Sequence, residues 1–191
     1  MTAVAAVVLA AAAAGFAPAK RVVEGNPDSA VRVIAYESLA CGDCAVYRRM
    51  LDEVLLPKYG GRVAFEHRDF PLEKQPWSRD AAVAARYIEE AAPEQAVAFR
   101  RDILDARRQI TPESLQSWIA AWAAARGMDA AKVTAAIADD RYRALVERDL
   151  QDGIARGVAK TPTVFVDGTP FIETFTLEEI SKAIDAALAA Q

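Results

Sequence analysis

The sequence predicts an α/β fold in which a βαβ unit and a C-terminal ββα unit are separated by an all-helical insertion. Three observations predict it. A β-branched run at 31–36 and an alternating run at 62–68 bracket a helical pattern that opens near Gly42. Residues 78–156 then carry helical spacing with no strand character. Strand character returns at Thr163–Val166, followed by a two-residue turn and a capped helix.

The elements follow in chain order. Val31, Val33, Ile34 and Tyr36 lie in a run rich in β-branched and aromatic residues, which reads as a strand. A short loop then delivers Cys41-Gly42-Asp43-Cys44. Val46, Met50 and Val54, with Tyr47, Leu51 and Leu55 beside them, have the spacing of a helix stopped by Pro57 and Gly60-Gly61. Cys41 therefore falls at a helix N-terminus. Val63, Phe65 and His67 alternate with Ala64, Glu66 and Arg68, as expected of a second strand.

The insertion, about 78–156, divides into five helical segments. The breaks fall at Pro93, at Thr111-Pro112, at Arg126-Gly127 before Asp129, and near Asp139-Asp140. Tyr87, Phe99, Trp118 and Trp122 sit at helical positions and read as packing within it. Arg100-Arg101 and Arg107-Arg108 read as solvated helix faces. Beyond the insertion, Asp167-Gly168 is a hairpin turn, and Pro170 in the following strand places that strand at a sheet edge. Thr176-Leu177-Glu178-Glu179 forms a capping box that opens a last helix to about Ala190.

Residues 1–19 differ from the rest. Positions 2–19 carry no charge, consist mostly of Ala and Val, and end in Ala17-Pro18-Ala19 before Lys20-Arg21. This is the pattern of an apolar export segment closed by an A-x-A cleavage site, the alternatives being an uncleaved membrane anchor and a buried helix. Residues 20–30, with Gly25-Asn26-Pro27-Asp28, read as a linker to an organised domain over 31–191. At 191 residues and 53% apolar, the chain can bury the core of one domain. The net charge is −4, and the Lys and Arg residues are dispersed instead of forming a stripe, which argues against nucleic acid as a partner.

The chemistry concentrates at the two cysteines. Two thiols three positions apart at a helix N-terminus suit a redox-active dithiol, since the unpaired N–H groups and the macrodipole there favour a thiolate by about 0.3–1 kcal/mol. A plain stapling disulfide is the alternative, but closing so short a loop yields only about 2 kcal/mol on chain-entropy grounds. Two Cys and one His fall short of the usual zinc set, so no metal is expected. His67, the only histidine, shares a strand face with Val63 and Phe65 and reads as a packed or edge-capping residue. Glu37 reads as a solvated carboxylate at a strand end, with no catalytic role.

The chain resembles the DsbA-like thiol-disulfide oxidoreductases, which have a thioredoxin-like fold with a helical insertion. The resemblance spans about 30–190. Cys41-Gly42-Asp43-Cys44 carries it, together with Arg68-Asp69-Phe70-Pro71-Leu72 and the string from Gly157 through Thr161-Pro162-Thr163 to Asp167-Gly168. It implies that Cys41 is an exposed nucleophile and that Cys44 resolves the mixed disulfide from within the helix. It also implies that Thr161-Pro162 is cis, lies beside the cysteines, and leaves the backbone before the proline free to pair with an extended substrate peptide.

Two departures from the family pattern bear on mechanism. Such oxidases commonly carry Pro and His between the cysteines, where this chain has Gly42 and Asp43. An aspartate opposes the thiolate by on the order of 1 kcal/mol, which predicts a pair tens of millivolts less oxidising than a Pro-His relative. Some relatives carry an acid six positions before the first cysteine, and that position here is Ala35.

The expected function is therefore exchange of a Cys41-Cys44 disulfide or dithiol with cysteines of exported proteins, by a monomeric chain without a bound cofactor. The resemblance implies a membrane or soluble partner that recycles the pair. Gly42-Asp43 leans toward reduction or isomerisation, and the long insertion toward oxidation. The alternative is a peptide-binding or chaperone-like module that retains the groove and uses the cysteines as a staple.

Overall fold

The fold is organised around β2 (Arg32–Glu37), the middle strand of five in a computed structural model that describes residues 21–191. The export segment expected at 1–19 lies outside the described residues. β2 pairs in parallel with β3 (Ala64–Asp69) and antiparallel with β4 (Thr163–Val166), while β5 (Thr169–Ile172) lies beyond β4 at one edge. The sheet order is β1-β3-β2-β4-β5. The Asp167-Gly168 turn between β4 and β5 holds both residues at positive φ, 46° and 82°, the geometry that matches the twist of a tight hairpin. Pro170 is thus on the edge strand, where its missing N–H leaves no gap in the ladder.

The strand at the opposite edge corrects the expected linker. β1 (Val23–Gly25) lies inside residues 20–30 and pairs antiparallel with β3, Val23 opposite Glu66 and Gly25 opposite Ala64. The β-branched Val22 and Val23 favour extension, and β3 offers a free edge. Gly25 closes the strand at φ +80°, where a Cβ would stand 2.4 Å from the Val63 carbonyl oxygen, so only glycine fits.

Alternation along β2 and β3 assigns their faces. Val33, Ala35 and Phe65 pack with Tyr47, Leu51, Leu55, Ile180 and Ile184 in one core, under α1 (Gly42–Met50) and α8 (Leu177–Ala189). Tyr36 packs on the other face with Phe70, Val158 and the partly buried Leu150 of α7 (Asp140–Ala155). Every residue of β3 is buried, because helices cover both faces of the sheet.

The first helix does not stop at Pro57. After α1 it widens into a π-helical stretch, Leu51–Leu55, and continues as α2 (Leu56–Tyr59), with the Leu56 N–H bonded to the Leu51 carbonyl. Pro57 then occupies the first turn of α2, where a missing N–H is tolerated. Gly60 and Gly61 end the helix. α8 begins at the expected capping box: Thr176 accepts from the Glu179 N–H at 3.2 Å, and Glu179 accepts from the Thr176 N–H at 2.7 Å.

The insertion comprises α3 (Ser78–Ala91), α4 (Pro93–Ala106), α5 (Leu115–Ala124), α6 (Ala130–Ala135) and α7. Its apolar core includes Ala81, Ile88, Phe99, Ile103, Ile119 and Trp122, with Tyr87 and Trp118 packed against it. Cys41, Cys44 and Leu39 belong to this same cluster, so the insertion roofs the cysteines.

Arg100 is not on a solvated face. It is 2% exposed and joins Asp69 at 3.0 Å and Glu89 at 2.6 Å. Arg86 bridges Asp69, Glu89 and Asp149 in the same buried network. An arginine pair read as solvent-facing is thus partly a seam between insertion and sheet, and charges so placed persist because each is paired. Arg101 turns outward to Asp52 and Glu24.

Candidate active site

Cys41 sits at the N-cap of α1 with extended backbone, φ −84° and ψ 132°. Its N–H donates to the Ser38 carbonyl at 3.0 Å and its own carbonyl accepts from Ala45, so the loop after β2 is turned tightly into the helix. The Cys41 side chain is left facing the first unpaired N–H groups of α1. Its thiol donates to the Thr161 carbonyl at 3.2 Å.

The resemblance implies an exposed nucleophile, yet Cys41 is only 5% exposed, held under the insertion and against Thr161. Cys44 has no exposure. Gly42 and Asp43 are the exposed members of the motif, with Asp43 in the first turn of α1.

Opposite electrostatics act on the two thiols. A hydrogen bond from the Cys44 side chain, opposed by burial and reinforced by the Thr161 side chain and the N–H groups of Cys44 and Asp43, brings the Cys41 thiol down to about 6. Burial pushes the Cys44 thiol well up. Its hydrogen bond to Cys41 and the negative charge of Glu37 act in the same direction, against a hydrogen bond from the Ser38 N–H. The Thr161 hydroxyl is buried with no partner beside the neutral thiol, free to donate to the thiolate.

The Thr161-Pro162 peptide bond is cis. The Pro162 carbonyl accepts from the Glu173 N–H at 2.8 Å, and the Thr163 hydroxyl donates to the Lys160 carbonyl at 2.7 Å, which fixes the loop at the head of β4. The structure therefore brings together Cys41, Cys44, Gly42, Asp43, Thr161 and Pro162 from two segments of chain about 120 positions apart.

Beneath them lies a group that sequence reasoning misplaced. Glu37 is 3% exposed, not solvated. Its Oε2 meets His67 Nδ1 at 2.7 Å, and His67 Nε2 meets Glu24 Oε1 at 2.9 Å. Burial alone would lower the imidazole, but the charge of Glu37 and hydrogen bonds to both carboxylates raise it. Burial would raise Glu24, while His67 and Arg48 together hold it down at about 2. A cue was present in the sequence: Glu37 has the parity of Val33 and Ala35, the inward face of the strand. Among the described residues no cluster of three or more His, Cys, Asp or Glu could hold a metal ion.

A CxxC helix start facing a Thr-Pro loop, on a sheet with this order, defines a thioredoxin-like protein with a DsbA-type helical insertion. The family model described as Thioredoxin matches residues 18–186, and the chain belongs to that family.

Solved structures agree on the fold. The thiol-disulfide exchange protein α-DsbA2 from Wolbachia pipientis is 20% identical with a TM-score of 0.74, over 87% of each chain. Oxidised BdbD from Bacillus subtilis is 18% identical with a TM-score of 0.76, over 88% of this chain and 93% of its own. The thiol-disulfide oxidoreductase MdbA from Corynebacterium diphtheriae is 18% identical with a TM-score of 0.70, over 85% and 89%. None of the curated proteins compared with the chain matches it.

Proposed function

We propose that the chain is a protein thiol-disulfide oxidoreductase, exchanging a Cys41-Cys44 disulfide or dithiol with cysteines of exported proteins and needing no bound cofactor. One observation carries the reading: the thiol at the helix start is held near 6 while the thiol one turn inside is pushed well up. Exchange needs that asymmetry. A thiolate at Cys41 attacks or leaves at neutral pH, and Cys44 is committed only after a mixed disulfide has formed. A static staple would have no use for it.

Thr161 and Pro162 support the site from across the groove, where an extended client segment would lie against the backbone before the proline. Export rests on residues 1–19, and among the described residues no helix is long and apolar enough to cross a membrane. A redox partner, soluble or membrane-bound, recycles the pair. The reduction potential sets the direction.

Trapping tests the reading. With Cys44→Ser, the Cys41 thiolate should attack a disulfide-bonded client and the mixed disulfide should accumulate, with the second client sulfur leaving as a thiolate; with Cys41→Ser, no adduct should form and exchange should cease. Exchange that survives Cys41→Ser would instead mark the protein as a peptide-binding module with a structural disulfide.

A further inference from the structure

The turn that leaves β5 is strained. Glu173 follows the last residue of β5 with φ +54°, in the left-handed region that glycine fills most readily. The Thr174 N–H donates to the Ile172 carbonyl at 2.8 Å, so Glu173 is the centre of a three-residue turn of the rare, strained hand. The turn itself has a packing reason: it carries Phe175 back onto Tyr47 and Phe171, at ring separations of 5.8 and 6.1 Å. A glycine would make the same turn without the strain, so packing alone does not call for a glutamate here.

What the glutamate adds is a second hold on the loop that faces Cys41. Its N–H donates to the Pro162 carbonyl at 2.8 Å, and its Oε2 accepts from Lys160 Nζ at 2.7 Å. One residue therefore grips the chain on both sides of Thr161, whose carbonyl receives the Cys41 thiol. Stability does not account for the arrangement. The Lys160 and Glu173 side chains are 60% and 31% exposed. A pair so placed raises the folded-to-unfolded ratio by at most about fivefold, while a residue other than glycine held at positive φ lowers it by at least about fivefold.

We propose that Glu173 is a positioning residue for client binding: through Lys160 and Pro162 it holds the backbone around Thr161 in the line with which an extended client segment pairs. The proposal rests on the oxidoreductase reading and deepens it by assigning the group that keeps the client edge ordered before a client arrives. An edge ordered beforehand costs a client less to bind. Both holds are on the loop, so Glu173 acts on the place of the client and not on the sulfur chemistry.

Single-turnover oxidation of a thiol by the disulfide form of the full protein tests this. One probe is an extended synthetic peptide with two cysteines and uncharged flanks; the other is reduced glutathione, too short to pair along the edge. Glu173→Gly keeps the Pro162 hydrogen bond, relieves the strain and removes the hold on Lys160. Its half-saturating peptide concentration should rise about fivefold, the worth of one hydrogen bond, with smaller changes in the limiting rate and in the glutathione rate. Its urea midpoint should equal or exceed that of the wild type, and should exceed that of Glu173→Ala, which keeps the strain, by about 0.3 M. Lys160→Glu combined with Glu173→Lys, which rebuilds the pair with its charges exchanged, should recover most of the lost peptide affinity. An unchanged half-saturating concentration in Glu173→Gly would overturn the proposal, as would an equal loss with peptide and glutathione or a urea midpoint below that of Glu173→Ala. Each of these leaves the oxidoreductase reading intact. A wild type that exchanges with neither thiol would overturn both.

Discussion

Cys41 Sγ and the Thr161 carbonyl oxygen meet at 3.2 Å across 120 positions of sequence, and the Thr161 hydroxyl is buried without a partner beside them. The hydroxyl is therefore available to donate to the Cys41 thiolate. Alkylation of Cys41 with iodoacetamide should show a midpoint near 6. Thr161→Val should raise that midpoint by about 0.5–1 unit, the equivalent of one hydrogen bond of about 1 kcal/mol. An unmoved midpoint would assign the low thiol to the Cys44 side chain and the helix-start N–H groups without Thr161.

Asp43 is exposed in the first turn of α1, where its charge bears on a Cys41 thiolate through solvent. Repulsion of about 1 kcal/mol corresponds to about 20–30 mV, because about 1.4 kcal/mol is about 30 mV for this two-electron couple. Asp43→His, which replaces the repulsion with attraction, should make the pair more oxidising by about 30–60 mV. Equilibration with glutathione gives the value. The wild type should lie well below the strongly oxidising end, about −120 mV.

Much of this site was legible because it is local or strongly punctuated. Cys41-Gly42-Asp43-Cys44 at a helix start, Asp167-Gly168 as a hairpin and Thr176 with Glu179 as a capping box each depend on neighbours within four residues. What was illegible depends on distant partners. Arg100 looks like a surface residue until Asp69 and Glu89 surround it. β1 is three residues long and becomes a strand only because β3 offers an edge. Glu37 reads as solvated because buried carboxylates are uncommon, and the histidine that makes its burial tolerable comes from another strand.

The seam around Arg100 makes a sharp prediction. Arg100→Met leaves Asp69 and Glu89 buried with only Arg86 to balance them. Breaking a buried pair by removing one partner costs about 3–5 kcal/mol, so urea denaturation should show a loss of that size. A loss below about 1 kcal/mol would mean that Arg86 alone suffices.

Gly153 faces the sheet from α7, and a Cβ there would stand 2.7 Å from two ring carbons of Phe70 and 3.0 Å from Tyr36. Alanine in a helix interior normally gains about 1 kcal/mol over glycine. Here the rings are buried and packed edge to face with centroids 6.3 Å apart, so they cannot yield cheaply. Gly153→Ala should therefore destabilise, by about 1–2 kcal/mol net. A stabilised variant would show that Phe70 repacks freely.

The Glu24-His67-Glu37 file sets how stability depends on pH. Glu24 is held at about 2, below its ordinary 4.5, so its contribution is fully present above about pH 4.5 and is lost as pH falls toward 2. The shift corresponds to about 3 kcal/mol. His67 runs the other way: its folded value is raised above 6.5, so its contribution is complete below about 6.5 and is lost as pH rises through the folded value. The two windows overlap between about pH 4.5 and 6.5, where the file is most stabilising. Denaturant titrations from pH 3 to 9 should show a maximum there in the wild type. Glu24→Gln should flatten the acid limb and, by removing one of the two carboxylates that hold the imidazolium, should also draw the alkaline limb to lower pH. An acid limb identical in wild type and Glu24→Gln would place acid sensitivity elsewhere, with Asp69 and Glu66, each buried against arginines, as the remaining candidates.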